Sequence, residues 1–254
     1  MILTPSELER YSQQIKLDQI GRAGQLKLKQ AHVLCVGAGG LGSAVLLYLA
    51  AAGVGTLGIV DDDRLELSNL QRQILYKDAD RGTVKTEAAK QHLLALNPNL
   101  TIHAYPERLI FENAAQLFHL YDIIADCSDN FATRYLIADQ AHALDKPHVY
   151  ASVRQFEGQV ALFLGKKTPC FRCLFPDAPP AELFPPCVEG GVLGVLPGLL
   201  GSLQAAEILK WILGFDLPLA GKLMLIQLLA PRFSVLALER NKACLLCGGM
   251  PSLS

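Results

Sequence analysis

An apolar stretch that breaks into glycines, Val33–Gly42, constrains this chain more than any other segment. It reads Val-Leu-Cys-Val-Gly-Ala-Gly-Gly-Leu-Gly and precedes the helical pattern of Ser43–Ala52. Gly37, Gly39 and Gly42 have the spacing GxGxxG, which permits a tight turn, brings the backbone close to a ligand and packs a helix on a strand. Free N–H groups at the start of that helix favour an anion. The segment therefore predicts a strand, a phosphate-binding turn and a helix.

An acidic residue follows this turn at the distance expected of a nucleotide-binding unit. Asp61 lies 19 residues after Gly42, at the end of a second apolar run, Thr56–Val60. A carboxylate at this place can hold a ribose hydroxyl. Such a pattern is most often interpreted as an NAD site, so the glycines and the acid alone leave both a dinucleotide and ATP open.

Strand-like and helix-like patterns alternate from residue 33 to residue 164. This alternation predicts an α/β fold with a doubly wound, Rossmann-like, mostly parallel sheet. Six prolines between residues 169 and 186 predict a long loop, followed by an apolar helix and two late strands. The predicted strands are 33–36, Thr56–Val60, Leu100–Ala104, Tyr121–Asp126, Val149–Val153, Gln159–Leu164, Lys222–Leu229 and Phe233–Leu238. The predicted helices are Pro5–Lys16, Arg22–Gln30, Ser43–Ala52, Thr83–Leu96, Ile110–Leu120, Phe131–Leu144 and Gly198–Leu213.

Composition excludes several classes of protein. The net charge is −1 and the pI about 6.6, so the chain lacks the basic footprint of a nucleic-acid-binding protein. Two uncharged stretches, Ala31–Val60 and Gly190–Ala206, are interrupted by glycines and, in the second, by Pro197, which argues against membrane spans. The amino terminus shows no secretory signal pattern. We therefore expect a cytoplasmic protein in a reducing compartment.

Two cysteine pairs predict a structural metal site. Cys170 and Cys173 form one CxxC knuckle, Cys244 and Cys247 a second, and paired knuckles in a reduced cell suggest four thiolates on one tetrahedral Zn²⁺. Such an ion has no open position for water, so its role is structural. The alternative is two unrelated pairs, one of them redox active. Cys35 and Cys127 lie in apolar runs and are predicted core residues, which leaves Cys187 unassigned.

Several separated motifs together resemble the MoeB/ThiF/HesA adenylyltransferases, the bacterial relatives of ubiquitin-activating enzymes. The resemblance runs from about Tyr11 to Gly249, which is essentially the whole chain. Its motifs are Gly37-Ala38-Gly39-Gly40-Leu41-Gly42, Asp61-Asp62-Asp63, Ser68-Asn69-Leu70-Gln71-Arg72-Gln73, Lys85, Asp126-Cys127-Ser128-Asp129-Asn130, the two knuckles and Cys187-Val188-Glu189-Gly190-Gly191.

The resemblance implies that ATP reacts with the terminal Gly-Gly carboxylate of a small ubiquitin-like sulfur carrier protein to give an acyl adenylate and pyrophosphate. Asp61 would hold the ribose, Ser68 and Asn69 would orient phosphate oxygens, and Asp129 would bind Mg²⁺. Arg72 and Lys85 would supply positive charge. The remaining nucleotide-binding residues would be Gly37, Gly39, Gly40, Gly42, Asp63, Gln73 and Asn130. Taken singly, these residues could instead form turns, N-caps or solvated surface.

The chain departs from the family pattern at Gln13, where relatives usually carry an arginine that reaches the ATP phosphates of a neighbouring subunit. We predict that Arg10, one helical turn earlier, replaces it. Cys187, beside the proline-rich loop, is a candidate acyl acceptor, although no nearby group is evident that would lower the pKa of its thiol. Mass spectrometry of covalent adducts in Cys187→Ser distinguishes an acceptor from an unreactive thiol.

The resemblance also implies partners and a division of the chain. We expect a homodimer, a separate sulfur donor, and a carrier resembling either ThiS of thiamine synthesis or MoaD of molybdopterin synthesis. The predicted division is a helical arm (1–30), an ATP-binding Rossmann-like region (31–165) and an integrated C-terminal part with the crossover loop and zinc site (166–254). The competing hypotheses are an NAD-dependent oxidoreductase and a zinc-stapled binding protein without catalysis.

Overall fold

The computed structural model describes residues 2–178 and 190–248 and has an α/β architecture. The strands are β1 (His32–Val36), β2 (Thr56–Val60), β3 (Thr101–Tyr105), β4 (Ile123–Asp126), β5 (Pro147–Arg154), β6 (Glu157–Leu164), β7 (Lys222–Gln227) and β8 (Arg232–Ala237). The helices are α1 (Pro5–Arg10), α2 (Ser12–Ile15), α3 (Gly21–Gln30), α4 (Gly40–Ala52), α5 (Lys85–Leu96), α6 (Phe111–His119), α7 (Phe131–Ala143), α8 (Phe171–Leu174) and α9 (Val195–Leu213). Two short 3-10 turns, Leu67–Asn69 and Asp78–Asp80, lie between β2 and α5.

All eight strands belong to one sheet with the order β3-β2-β1-β4-β5-β6-β7-β8. Neighbours from β3 to β5 are parallel, and those from β5 to β8 are antiparallel. The Rossmann-like, mostly parallel fold class is thus confirmed. The expectation that the parallel pattern extends through Leu164 is wrong, because only Gln155 and Phe156 separate β5 from β6. A connection of two residues makes a hairpin, whereas a parallel crossover needs a dozen residues or more.

The alternation of side chains along the central strands creates two apolar layers. On β1, Val33 and Cys35 face a core built with α3, α4, α5 and α9, whereas Leu34 and Val36 face a second core built with α6 and α7. Strands buried on both faces are expected to be continuously apolar, as this one is. Close packing of α4 on α9 requires Gly201, since a Cβ there would lie 2.5 Å from the Leu41 carbonyl oxygen.

The predicted amino-terminal helix Pro5–Lys16 is two helices that meet at Tyr11. Tyr11 is buried and its hydroxyl accepts a hydrogen bond of 2.8 Å from Asn97 Nδ2, so the chain turns where this side chain enters the core. Arg10 ends α1 and donates from Nη1 to the Leu96 carbonyl oxygen at 2.9 Å. Arg10 and Gln13 therefore do not share one continuous helix face, and that premise of the sequence analysis is wrong.

The remaining predicted helices and strands agree with the structure within a few residues at their ends. The stretch predicted as a proline-rich loop contains a short helix that was not predicted, α8. Cys35 and Cys127 are buried core residues, as predicted. The division into three segments stays a prediction. Among the described residues, no helix is both long and apolar enough to cross a membrane.

Candidate active site

A crevice of about 540 Å³ opens at the carboxyl ends of β1, β2 and β4. In the strand order, β1 lies between β2 and β4, so chain connections diverge at this edge and leave the space in which open α/β sheets bind ligands. Most of the predicted nucleotide-binding residues line it: Gly37, Gly39, Gly40, Asp61, Asp63, Asn69, Arg72, Gln73, Lys85, Asp129 and Asn130.

The glycine turn at the floor of the crevice has no space for side chains at two positions. Gly37 has φ +94°, and a Cβ there would lie 2.6 Å from the Cys127 carbonyl oxygen. At Gly42 a Cβ would overlap the Gly37 carbonyl oxygen. Gly42 itself lies beneath the turn rather than in the crevice lining, so its part is to let α4 begin directly behind β1.

Asp61 and Tyr76 hold the residue at the top of this turn. Asp61 Oδ2 accepts the Ala38 N–H at 2.8 Å, and the buried Tyr76 hydroxyl donates to the Ala38 carbonyl oxygen at 2.8 Å. Asp61 Oδ1 accepts the Asp63 N–H at 2.9 Å. Burial raises the pKa of Asp61, against the opposing effects of Lys85 and of the two N–H donors. Each carboxylate oxygen accepts more than one hydrogen bond, so Asp61 retains capacity for a ligand hydroxyl.

Lys85 is the first residue of α5, where a positive charge opposes the helix dipole, and two carboxylates offset this effect. Its Nζ lies 2.6 Å from Asp63 Oδ2 and 3.9 Å from Asp61 Oδ1, and its side chain is only 6% exposed. The Asp63 side chain is 67% exposed, so this ion pair lies at the crevice edge rather than in the core. A phosphate can therefore replace Asp63 as the partner of the ammonium group without leaving a buried carboxylate unpaired.

The segment after Asp63 curls around the crevice through local hydrogen bonds. Asn69 Oδ1 accepts the Glu66 N–H at 3.2 Å, and Arg72 Nη1 donates to the Ser68 carbonyl oxygen at 3.0 Å. Asn69 and Arg72 line the crevice, whereas Ser68 is exposed outside it and directs its hydroxyl to Glu66 Oε2. The predicted phosphate contact of Ser68 through its side chain thus stays a prediction.

Two other predicted residues are not brought to the crevice of this chain. Arg10 is exposed, donates to the Leu96 carbonyl oxygen and does not line it, so its contact with ATP of a neighbouring subunit stays a prediction. Cys187 lies outside the described residues.

Three arginines that line the crevice were not among the predicted site residues: Arg64, Arg108 and Arg134. Two are exposed, but Arg134 is only 5% exposed and lies beside Asp126 and Ser128. Burial raises the pKa of Asp126, opposed by Arg134 and by hydrogen bonds from Ser128. The only sequence signal for Arg134 was its place one helical turn after Asn130, which does not separate a buried arginine from a solvated one.

The four knuckle cysteines form a cluster far along the chain from the glycine turn. The Sγ distances are 3.9 Å for Cys170–Cys173, 3.6 Å for Cys170–Cys244 and 3.3 Å for Cys173–Cys247, and all four atoms lie within 4.8 Å of one another. Zn–S bonds of about 2.3 Å in a tetrahedron set sulfur atoms about 3.8 Å apart. A disulfide needs about 2.05 Å. The described cysteines are free, and the geometry fits a tetrahedral metal ion.

Comparison with known proteins gives consistent results. The sequence model described as the ThiF family matches residues 11–246. A sulfur carrier protein adenylyltransferase of Thermus thermophilus is 50% identical, over 98% of this chain and 94% of that protein. An adenylyltransferase and sulfurtransferase MOCS3 of Culex quinquefasciatus is 46% identical over 99% of this chain, which spans 58% of that relative.

Solved structures share the fold. The E. coli MccB structure with MccA-N7isoASN has a TM-score of 0.81 at 24% identity, covering 94% of this chain and 75% of that chain. PaaA has a TM-score of 0.79 at 26% identity, covering 93% of this chain and 75% of that one.

Replacing Gly42 by alanine tests the geometry of the turn. The new methyl group overlaps the Gly37 carbonyl oxygen, so we expect Gly42→Ala to lower the free energy of unfolding by about 3 kcal/mol. Gly198→Ala is the matched control, since a Cβ there meets nothing within 4 Å and alanine favours a helix by up to about 1 kcal/mol. Urea denaturation measures both. Equal stability of the two variants would contradict the described turn.

Proposed function

This chain belongs to the ThiF family, and we propose that it transfers the adenylyl group of ATP to the C-terminal carboxylate of a small ubiquitin-like sulfur carrier protein ending in Gly-Gly. The observation that carries the proposal is one crevice containing both a glycine turn and the buried ammonium group of Lys85. A dinucleotide oxidoreductase is not favoured, because Arg72, Lys85 and Asp129 would have no role in hydride transfer.

The glycine turn would hold the phosphates of the nucleotide, and Asp61 would hold its ribose. The N–H groups at the start of α4 face the crevice and favour phosphate oxygens, while Asp61 accepts a ribose hydroxyl. Lys85 and Arg72 both line the crevice and would neutralise the triphosphate. Gln73, Asn69 and Asp63 also line it.

The acceptor needs no base because a C-terminal carboxylate is already a nucleophile. One of its oxygens forms a bond to the α-phosphorus of ATP as the bond from that phosphorus to the bridging oxygen breaks, and pyrophosphate leaves with its electron pair. The protein's task is to align the two reactants and to stabilise charge on the leaving group. This division of labour agrees with the presence of Arg72 and Lys85 in the crevice lining, beside the glycine turn.

Asp129 is the residue we assign to Mg²⁺. It is exposed in the crevice at the carboxyl end of β4, and hard cations prefer such carboxylate oxygens. Asn130 fixes the turn beside it, since its Oδ1 accepts the Thr133 N–H at 2.9 Å and caps α7. When bound, magnesium would supply positive charge to the phosphates.

We assign a structural Zn²⁺ to Cys170, Cys173, Cys244 and Cys247. Four thiolates would close its coordination shell, so the ion takes no part in the reaction. It would join the segment after β6 to the segment after β8, which are distant in sequence. Arg172, between two of these cysteines, makes a bidentate ion pair with Asp139 of α7 at 2.7 Å and so connects the cluster to the main body.

The remaining assignments rest on the family. We propose a homodimer, in which Arg10 contacts ATP bound to the neighbouring subunit, and Cys187 as a candidate acyl acceptor. The carrier would be ThiS-like or MoaD-like and would serve thiamine or molybdopterin synthesis in the cytoplasm, with sulfur from a separate donor. The similarity to a sulfur carrier protein adenylyltransferase over nearly its full length supports the carrier as partner.

Exchange of labelled pyrophosphate into ATP tests the proposed reaction. With Mg²⁺ and a carrier ending in Gly-Gly, we expect exchange that disappears when the terminal glycine is deleted from the carrier. Lys85→Met removes a charge at the triphosphate, so exchange falls about 100-fold or more. Lys90→Met, on the same helix but outside the crevice lining, keeps the parent rate. The proposal would be refuted by an exchange rate that does not change when the terminal glycine of the carrier is deleted. A parent exchange rate in Lys85→Met would refute it as well.

Metal analysis tests the zinc assignment. We expect about one zinc per chain by mass spectrometry, and its removal by a chelator lowers the melting temperature reversibly. Cys244→Ser removes one ligand and gives the same loss, whereas Cys35→Ser does not change the zinc content. A metal-free protein whose four knuckle thiols form disulfides would instead support two redox-active pairs.

Pyrophosphate exchange also tests Arg10. If its guanidinium reaches ATP across a subunit interface, Arg10→Ala lowers the exchange rate at least about 100-fold. Gln13→Ala, which removes no charge, stays close to the parent. Parent activity in Arg10→Ala means that this chain works without the predicted contact.

A further inference from the structure

Arg134 is a buried cation directly below the turn that carries Asp129. It is the fourth residue of α7, it is only 5% exposed, and it lines the crevice. Neither the nucleotide contacts nor the zinc site proposed above uses it. A buried guanidinium is costly unless several partners hold it, so its surroundings indicate what it does.

The guanidinium is fixed on three sides. Its Nη2 donates to the Ser128 carbonyl oxygen at 3.1 Å, and its central carbon lies 5.2 Å from the Phe131 ring centre and 5.5 Å from that of Tyr150. Cation–π contacts of this kind are stronger in desolvated places. Among the described residues, Arg134 Nε is buried without a hydrogen-bond partner, so the side chain is held by these contacts rather than by a complete set of hydrogen bonds.

The same turn is held from the other side by Asp126. Its Oδ1 accepts hydrogen bonds from Ser128 Oγ at 2.6 Å and from the Ser128 N–H at 3.1 Å, and the carboxyl group is buried. Asp126 also interacts electrostatically with Arg134. Ser128 is thus hydrogen-bonded to Asp126 through its N–H and hydroxyl and to Arg134 through its carbonyl oxygen. Asp129 follows it immediately, so its backbone position depends on this pair.

We propose that Arg134 is a positioning residue that sets the affinity of the site for the divalent cation accompanying ATP. By holding the Ser128 carbonyl oxygen, it fixes the backbone from which the exposed Asp129 carboxylate enters the crevice. Asn130 fixes the other side of Asp129 by capping α7. The inference rests on the proposed function only in assigning a cation to Asp129.

ATP binding measured by calorimetry over a series of Mg²⁺ concentrations, and in EDTA, tests this role. Removing a residue that orients a metal ligand typically costs about 10-fold or more in metal affinity. We therefore expect Arg134→Met to need about 10-fold more Mg²⁺ for half-maximal enhancement of ATP binding. ATP affinity in EDTA stays within about twofold, because the proposed role of Arg134 is to orient the cation ligand and not to contact the nucleotide. Arg134→Lys, which keeps the charge and one donor, falls between the two proteins.

Two further variants separate positioning from loss of folding. Arg134→Met combined with Asp126→Asn leaves no unpaired buried carboxylate, and we expect the same Mg²⁺ shift because the Ser128 carbonyl contact is still absent. Lys146→Met removes another cation–carbonyl contact after α7, from Nζ to the Tyr121 carbonyl oxygen at 2.6 Å, but outside the crevice lining. It keeps the parent Mg²⁺ dependence, and melting temperatures check that each variant is folded.

Each result decides the matter. An unchanged Mg²⁺ dependence in the folded double variant would overturn the proposal. So would an equal loss of ATP affinity with and without Mg²⁺, since Arg134 would then contact the nucleotide itself. Because the readout is nucleotide binding, the result is independent of whether the parent protein catalyses carrier-dependent pyrophosphate exchange, which tests the proposed function separately.

Discussion

The fixed position of Ala38 is the constraint on which the site depends. Its N–H is held by Asp61 and its carbonyl by Tyr76, so both peptide groups that flank Ala38 are fixed by hydrogen bonds. Burial raises the pKa of the Tyr76 hydroxyl, which keeps this group protonated as a donor. Because Gly42 has no side chain, α4 can begin close behind β1. A Cβ at this position would overlap the Gly37 carbonyl oxygen. A rigid turn presents its N–H groups in place before the ligand arrives, which lowers the entropic cost of binding.

The charges around this turn allow a phosphate to replace an exposed carboxylate as the partner of Lys85. Lys85 is paired with Asp63 at the crevice edge, whereas the inner Asp61 is held by N–H donors and lies at the outer limit of ion-pair distance from Lys85. A triphosphate can take the place of Asp63 with a small movement of an exposed side chain. Arg134 and Asp126 are both buried, and each is hydrogen-bonded to Ser128. In the proposed function, the exposed ion pair would serve binding, whereas the two buried groups would fix the backbone before Asp129.

Sequence patterns predicted the parts of this molecule that depend on local periodicity. The apolar strands, the glycine turn and the acid after β2 were found because each has a fixed spacing that the backbone requires. The antiparallel edge was missed although the predicted strands Val149–Val153 and Gln159–Leu164 left only residues 154–158 between them, which is too short for a parallel crossover. The break at Tyr11 was missed because it depends on a contact with Asn97, which is far away in sequence. The burial of Arg134 was missed because it depends on how the chain folds around its guanidinium, on the Ser128 carbonyl oxygen and the Tyr150 ring.

The central claim is that the glycine turn binds the phosphates of ATP, with Lys85 as their cation. The most direct measurement is a crystal structure of the protein with a non-hydrolysable ATP analogue and Mg²⁺. We expect phosphate oxygens on the N–H groups of residues 39–41, Lys85 Nζ released from Asp63 to a phosphate, and the ribose on Asp61. An analogue bound elsewhere, or a crevice that takes NAD in preference to ATP, would contradict it.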